Sequence, residues 1–183
     1  MPLPQMPNDA SVAEIFSEAS KLKAKKDKVE FLSQYRNRKD LEHIVKGAYH
    51  PAIVWLVPAG PLPEGVEFSD VPAVDLADDR LIRAYRQFRY LVKGGPDTPQ
   101  AKREDIYLNM IRSLHVDEAK LLMSIVGRKL PYKGLTKALI IAIKLTIVFL
   151  IITLPINYNN NKIGALWAGL FVATFLLFLT WVY

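Results

Sequence analysis

Two long apolar segments at the C-terminal end constrain the fold of this chain more than any other feature. Residues 139–156 contain 13 Leu, Ile, Val or Phe side chains and a single charged one, Lys144. Residues 164–183 contain no charged side chain at all. An α-helix needs about 20 mainly apolar residues to cross the hydrocarbon core of a bilayer. The two segments, joined by the polar residues 157–162, therefore predict a transmembrane hairpin over residues 139–183.

The energetics of insertion support this interpretation. The apolar side chains of the first segment, at about −0.5 kcal/mol each, favour insertion by roughly 6 kcal/mol, whereas a lysine at the bilayer centre costs about 3 kcal/mol. Lys144 lies near one end of its segment and can extend its ammonium towards water, which lowers that cost. Trp167, Trp181 and Tyr183 lie towards the ends of the second segment, where aromatic side chains anchor helices at the membrane interface. The alternative is a buried soluble hairpin, which the rest of the chain is too small to cover.

The basic residues around the hairpin predict its orientation. Arg128, Lys129, Lys133 and Lys137 precede the first segment, and only Lys162 lies in the connecting loop. Loops rich in Lys and Arg stay on the cytoplasmic side of a membrane. Both termini are therefore expected on the cytoplasmic side.

The polar part of the chain carries nearly all of the charge. All 18 acidic residues precede residue 119, and 22 of the 24 basic residues precede residue 139, in a chain with a formal net charge of +6. This balance favours an anionic partner such as nucleic acid or anionic lipid, although a plain solubility charge is the alternative. The absence of cysteine excludes disulfides, thiolate metal sites and cysteine nucleophiles.

Apolar residues at helical spacing predict a compact all-α domain over residues 11–138, after a loose proline-containing arm at residues 1–10. Ser11 and Glu14 have the spacing of a capping box at the start of the first helix, and Asp40 is a candidate N-cap for the third. Asp117 and Glu118 suit the positive end of a helix dipole. Residues 53–57 predict a brief strand or a buried extended segment. Helices are predicted after Ser11, around residues 29–32, over residues 40–49, 81–92, 103–114 and 116–126, and from about residue 135.

Two basic patterns are candidates for binding an anion. The first is a lysine run at the junction of the first two helices, formed by Lys21, Lys23, Lys25, Lys26 and Lys28. The second is a stripe of arginines at every third residue with aromatic residues between them, formed by Arg80, Arg83, Arg86, Arg89, Tyr85, Phe88 and Tyr90. Alternating basic and aromatic residues are typical of nucleic-acid-binding surfaces. The alternatives are a solvated helix surface for the lysines and arginine stems that cover the core for the stripe.

No constellation of catalytic residues is present. The sequence lacks a glycine-rich phosphate loop and a Gly-x-Ser-x-Gly motif. The histidines His43, His50 and His115 lack partners at metal-ligand spacing. We therefore expect a non-enzymatic protein with no cofactor and no metal.

Several motifs recur in a fixed order between residues 11 and 138. They are Ala13-Glu-Ile-Phe-Ser-Glu-Ala-Ser20, Lys28-Val-Glu-Phe-Leu32, Leu41-Glu-His-Ile-Val-Lys-Gly-Ala-Tyr49, Ile53-Val-Trp-Leu-Val-Pro58, Val92-Lys-Gly-Gly-Pro96 and Lys133-Gly-Leu-Thr-Lys-Ala138. In these motifs the chain resembles a family of small uncharacterised proteins of large tailed bacteriophages. This resemblance implies that the membrane is the inner membrane of the host.

The order of helices and turns, with a lysine-rich first turn and a late glycine turn at Gly134, is also similar to the N-terminal DNA-binding domain of ATP-dependent DNA ligases, especially phage ones. That domain grips the duplex backbone from the minor-groove side. The resemblance implies that the lysine run, together with Lys133 and Lys137, contacts phosphates. The chain departs from ligases because it has no Lys-x-Asp-Gly motif and no room for a nucleotidyltransferase domain. It departs from both families at residue 139, where the apolar hairpin begins.

The leading interpretation is a phage-encoded, membrane-tethered helical domain that binds duplex DNA or a phage replication protein at the cytoplasmic face. One alternative is a membrane-remodelling or lysis-related protein in which the two spans act. Another is a protein-interaction module whose basic faces bind lipid headgroups. The sequence does not indicate an oligomeric state.

Overall fold

The computed structural model describes residues 4–135, which all lie within one compact unit. These residues are helical, with isolated bridges and no strand among them, as the sequence predicts. The helices are α1 (Val12–Lys21), α2 (Lys25–Ser33), α3 (Lys39–Tyr49), α4 (Leu81–Ala84), α5 (Phe88–Leu91), α6 (Gln100–Ser113) and α7 (Val116–Val126), with 3₁₀ turns at Val74–Leu76 and Tyr85–Gln87.

Several sequence predictions lie outside the described residues. They are the start of the arm, the last helix beyond residue 135, the segments 139–156 and 164–183, and the side chains of Lys137, Lys144, Trp167, Trp181 and Tyr183. Within residues 4–135, no helix is both long enough and apolar enough to cross a membrane.

Helix α1 begins where the capping-box spacing predicts. The Ser11 hydroxyl oxygen accepts hydrogen bonds from the backbone N–H groups of Ala13 (3.1 Å) and Glu14 (3.3 Å). The Glu14 carboxylate in turn accepts one from the backbone N–H of Ser11 (2.8 Å). These bonds satisfy amides that have no partner inside the helix. Val12 and Phe16 are fully buried, so the predicted apolar face points into the core.

The start of α3 differs from the prediction. Asp40 was expected to cap the helix, but α3 begins at Lys39 with Arg38 in the capping position. Asp40 is instead buried and paired with the Arg38 guanidinium, whose Nε lies 3.0 Å from Oδ1. The same guanidinium donates to the backbone carbonyls of Asn8 and Ala10 at 2.9 and 2.7 Å. The Asp40 carboxylate orients Arg38, which holds the end of the N-terminal arm. Because Asp40 is engaged in this way, it does not cap α3.

The segment predicted as one helix over residues 81–92 is split. The 3₁₀ turn Tyr85–Gln87 separates α4 from α5, although the backbone at Tyr85 and Phe88 keeps right-handed helical angles. The change is therefore one of hydrogen bonding, and the chain direction is maintained. Leu81, Ala84, Phe88 and Leu91 are buried, as the apolar spacing predicts.

Residues 53–57 are extended, as one of the two predicted alternatives had it, but the segment is not buried as that alternative expected: only Val57 is buried, and Val54 is 47% exposed. Trp55 makes an isolated antiparallel bridge with Val92. The backbone N–H of Leu56 donates to the Leu91 carbonyl at 2.8 Å, and that of Lys93 donates to the Val54 carbonyl at 2.9 Å. This pairing fastens the extended segment to the end of α5.

Helix α7 is central to the core because it packs against α1, α3 and α6. Leu121, Leu122 and Ile125 of α7 are fully buried. Each such side chain stabilises the fold by roughly 1.5–3 kcal/mol through the apolar surface it removes from water.

Glu118 lies in the first turn of α7, as the sequence predicts, but its role is tertiary. It is only 1% exposed, and its Oε2 accepts a hydrogen bond from the backbone N–H of Leu81 at 2.8 Å. Burial raises the pKa of Glu118, against the opposing effects of the Leu81 amide, the Ser11 hydroxyl and the Arg80 charge. One carboxyl group thus ties the first turns of α7 and α4 together, beside the cap of α1.

The Glu118 carboxyl group predicts a specific pH dependence of stability. Its pKa in the folded state is raised above the ordinary value of 4.5, so the folded protein binds this proton more readily than the unfolded chain does. Between the two pKa values the free energy of unfolding therefore falls as the pH rises. Glu118→Gln keeps an acceptor for the Leu81 amide but cannot ionise. Relative to this variant, the wild type should gain stability as the pH is lowered from about 7 towards about 4.5, as measured by urea unfolding.

The matched control is Asp117→Asn, which neutralises the adjacent carboxylate, an exposed one. This change should leave the pH profile of the wild type nearly intact. Identical profiles for the wild type and Glu118→Gln would contradict the assignment.

Candidate anion-binding surfaces

The lysine run occupies the short connection between α1 and α2. Lys21 is the last residue of α1, Lys23 lies in the connection, and Lys25 and Lys26 open α2. All four side chains are exposed, and Lys21 forms an ion pair with Glu18. Leu22 and Ala24, which flank Lys23, have extended backbone angles that end one helix and begin the next. The predicted helix junction is therefore confirmed.

The start of α2 carries charge of the unfavourable sign. Ala24 occupies the N-cap position and provides no side-chain hydrogen bond, so the first amides of α2 have no capping side chain. Lys25 and Lys26 lie in that first turn, with Asp27 as its only acid. The helix dipole is positive at this end, and a charge there changes stability by about 0.3–1 kcal/mol. Uncapped amides and two lysines, offset in part by Asp27, leave this helix terminus with a net positive charge.

Lys28 is not on this surface. Its side chain is buried, with 5% of the residue exposed. Its ammonium donates to the backbone carbonyls of Ala19 (3.0 Å), Ser20 (3.0 Å) and Lys133 (3.3 Å). The first two belong to the last turn of α1, where carbonyls lack helical partners. The expectation that Lys28 contacts nucleic acid therefore gives way to a structural role, because its charge is enclosed by protein.

The Lys28 ammonium also brings together two parts of the candidate site that are far apart in sequence. Lys133 is exposed, and its carbonyl oxygen lies against the Lys28 ammonium beside the α1–α2 connection. Gly134 has a φ of +77°, and a Cβ there would lie 3.1 Å from Lys28 Nζ, so glycine suits this turn in both backbone angle and space. The Tyr49 hydroxyl donates to the Leu135 carbonyl at 3.0 Å and holds the far side of the turn. We call the exposed set Lys21, Lys23, Lys25, Lys26 and Lys133 the basic edge.

The arginine stripe is exposed at Arg83, Arg86 and Arg89, as expected for a binding surface. Arg83 Nε lies 3.2 Å from Asp79 Oδ1, and Arg89 stacks on the Tyr90 ring with its guanidinium carbon 4.8 Å from the ring centroid. Arg86 has no acidic partner among residues 4–135.

Arg80 does not share this surface. Its guanidinium pairs with Asp75 at 2.8 Å and also donates to the Asp9 carbonyl. In the part of the chain that the structure describes, no hydrogen bond, ion pair or aromatic contact joins the arginine stripe to the basic edge.

Beside the stripe lies a groove that the sequence did not predict. Its volume is about 550 Å³, within the range of small-ligand sites. His43 of α3 packs against Tyr85 with ring centroids 4.9 Å apart, and Trp55 meets Phe88 edge-on at 5.4 Å. We call this the aromatic groove; it is lined by His43, Gly47, Ile53, Trp55, Tyr85, Arg86, Phe88, Arg89 and Val92.

The aromatic residues of the arginine stripe were the only sequence signal for this groove. Tyr85 and Phe88 stood out between the arginines, whereas His43 and Trp55 reach them from distant parts of the chain. His43 is exposed. Its Nδ1 donates to the Lys39 carbonyl at 2.8 Å, which assigns the proton of a neutral ring to that nitrogen.

Metal-ligand clusters are absent from residues 4–135, where no group of three or more histidines and acids has the geometry to hold an ion. His115 occupies the N-cap of α7, where its Nδ1 accepts from the backbone N–H of Asp117 at 3.3 Å. The expectation of a non-enzymatic protein stays a prediction.

The structural role of Lys28 predicts a large effect of its removal. Lys28→Met keeps the length of the side chain but leaves three carbonyl oxygens without their donor. Because unsatisfied buried polar groups cost about 1–3 kcal/mol, we expect the free energy of unfolding to fall by about 2–3 kcal/mol in urea titrations followed by circular dichroism. Lys26→Met, on the exposed surface of the same helix, removes a charge that opposes the helix dipole and should leave the free energy of unfolding unchanged or raise it by up to about 1 kcal/mol. Equal effects of the two substitutions would refute this role.

The comparisons with known proteins place the chain in a family without assigning it an activity. No curated protein and no solved structure matches it. The likeness to the ligase domain therefore stays a prediction. A family model described as a family of unknown function (DUF6433) matches residues 15–132, which include most of α1, all of α2–α7 and four of the five lysines of the basic edge. Because that match covers well over half of the sequence, the chain belongs to the DUF6433 family.

Proposed function

We propose that this protein binds the phosphate backbone of nucleic acid through the basic edge, and that its C-terminal hairpin holds it at the cytoplasmic face of a membrane. The observation that carries the proposal is the first turn of α2, where Lys25 and Lys26 lie at an uncapped helix N-terminus. Helix N-termini bind phosphate groups because free amides and the helix dipole both favour negative charge.

The cost of this arrangement supports a functional role. An N-terminal turn is normally stabilised by Asp, Glu, Ser or Thr. The charges of Lys25 and Lys26 oppose the helix dipole. Asp27 is the only acid of the turn, and the N-cap residue Ala24 provides no side-chain hydrogen bond. A bound phosphate reverses the balance, since it accepts from the amides and pairs with the ammonium groups. Local choices that work against stability are expected at functional sites.

Lys23 and Lys133 extend this positive surface beyond one helix end. The Lys28 ammonium holds the backbone of Lys133 beside the α1–α2 connection. Several exposed lysines on two connected turns suit a polyanion with regularly spaced phosphates. Such contacts position nucleic acid without reading its sequence.

The arginine stripe offers a second area of positive charge for the same ligand. Arg86 is exposed and has no acidic partner among residues 4–135. Arginine forms bidentate hydrogen bonds with phosphate groups.

The hairpin is proposed on sequence alone. Residues 139–156 and 164–183 are each long and apolar enough to cross a bilayer. A membrane tether would keep the domain near the membrane surface. The proposed ligand there is nucleic acid and not the lipid itself.

Removal of lysines from the basic edge should lower the salt dependence of duplex binding. Each phosphate contact contributes about 0.9 to the slope of log affinity against log salt concentration. The triple substitution Lys23→Gln, Lys25→Gln and Lys26→Gln should therefore reduce that slope by about 3. The measurement is fluorescence anisotropy of a labelled duplex with the full chain in detergent, across a range of salt concentrations.

A matched control removes the same number of charges elsewhere, with Lys39→Gln, Lys102→Gln and Lys120→Gln on α3, α6 and α7. This control should change the slope much less. Equal slopes for the two triple variants, or no duplex binding by the wild type at low salt, would rule out the proposal. Binding to anionic vesicles but not to duplex would instead identify a lipid-headgroup surface.

The absence of cysteine allows a clean test of the membrane topology. Single cysteines are introduced as Asn160→Cys in the predicted loop and Gln34→Cys after α2. A membrane-impermeant maleimide applied to intact cells should label Asn160→Cys and should reach Gln34→Cys only after the membrane is opened. Recovery of the protein in the aqueous fraction without detergent, or labelling of both sites in intact cells, would overturn the hairpin.

A further inference from the structure

One wall of the aromatic groove, formed by Trp55 and the segment from Gly47 to Ile53, is held in position by hydrogen bonds to backbone carbonyls. Trp55 Nε1 donates to the Gly47 carbonyl at 3.0 Å. The Arg128 guanidinium donates to the carbonyls of Gly47 (3.2 Å), His50 (2.9 Å) and Ile53 (2.8 Å). The wall is thus fastened both to α3 and to the turn that follows α7.

Gly47 permits the close approach of Trp55 to α3. A Cβ at position 47 would lie 2.8 Å from the Trp55 ring carbon Cζ2, which is too short for a non-bonded contact. The indole therefore lies directly on the helix backbone. Rings that are held in position before a ligand arrives lose little conformational freedom when it binds.

The charge of the groove is of one sign. Its lining contains Arg86 and Arg89 and no acidic residue. Both arginines are exposed, and Arg89 is positioned by its stacking on Tyr90 and by a 2.7 Å hydrogen bond to the Tyr90 hydroxyl. A purely apolar ligand would make no use of two guanidinium groups at such a site. The combination favours a planar aromatic group that is linked to an anion.

We propose that the aromatic groove holds an unstacked base of single-stranded nucleic acid while Arg86 binds an adjoining phosphate. The chemistry fits because bases stack on aromatic side chains and arginines pair with the backbone, largely independent of sequence. This proposal deepens the proposed function and rests on it for the class of ligand. It differs in the surface used, because the basic edge binds phosphates alone.

The test uses the full chain in detergent. Trp167→Phe and Trp181→Phe replace two of the three tryptophans, so that the fluorescence comes from Trp55. The first probe is an oligothymidylate of about 16 nucleotides. The second probe has the same length and the same phosphates but lacks bases. Binding of each labelled probe is followed by anisotropy, and the environment of Trp55 by its fluorescence.

We expect the oligothymidylate to quench Trp55 in a saturable manner. The abasic probe should bind about tenfold or more weakly, since it cannot stack, and should leave the Trp55 emission unchanged. Arg86→Gln should weaken oligothymidylate binding at least about fivefold. Its control, Arg112→Gln on the exposed surface of α6, should not.

Four outcomes would overturn the proposal. If Trp55 emission stays unchanged while duplex still binds with a steep salt dependence, the groove is not a binding site and the proposal for the basic edge is retained. Equal affinity for the abasic probe shows that bases are not held. Quenching by thymidine monophosphate as strong as that by the oligonucleotide identifies a free-nucleotide site and not a strand. Loss of binding to duplex and oligothymidylate alike defeats the proposed function as well.

Discussion

The fold depends on basic side chains that donate hydrogen bonds to backbone carbonyls at helix ends and in the connections between helices. Residues 50–80 contain only one short 3₁₀ turn, so many peptide groups there and at helix ends lack partners from regular secondary structure. Arg128 donates to three carbonyls 75 or more residues earlier in the chain, and Lys28 donates to two carbonyls at the end of α1 and to the distant carbonyl of Lys133. Arg38 and Arg80 donate to carbonyls of the N-terminal arm, and Arg103 donates to the Tyr90 carbonyl at the end of α5. Backbone carbonyls need a hydrogen-bond partner where water does not reach them, and at these positions the cations provide it or add a cross-link between segments.

This use of cations changes the meaning of the net charge. A count of lysines and arginines suggests one large basic surface, but several of these groups are enclosed by the carbonyls that they bind. Lys28 shows the difference clearly, because it belongs to the lysine run by sequence and to the core by position. Exposed basic groups remain at the start of α2, at Lys133 and along the arginine stripe, and also at separate positions such as Lys102, Arg112 and Lys120. Within the basic edge and the stripe, Lys21 and Arg83 already have acidic partners in Glu18 and Asp79, whereas Arg86 has none among residues 4–135.

Local signals in the sequence were sufficient for most of the secondary structure. The capping box at Ser11 and the apolar spacing of α1, α6 and α7 depend on residues within one or two turns of each other, so they can be read directly. The error at Asp40 has the opposite origin. A carboxylate near a helix start resembles a cap, but Arg38 engages it together with carbonyls about 30 positions earlier in the chain. Glu118 is similar, since its partner at Leu81 lies 37 residues away.

The sequence by itself determined most of the helices among residues 4–135 and the positions of the lysine run and the arginine stripe, and it alone supports the prediction of a membrane hairpin. Each of these rests on spacing or composition within a single segment. Only the tertiary structure decided which cations are free. It also placed Lys133 beside the α1–α2 connection and brought His43 and Trp55 to the arginine stripe. The physical reason is that charge and aromatic character are properties of single residues. Their function depends on which distant carbonyls and rings come within about 3–5 Å of them.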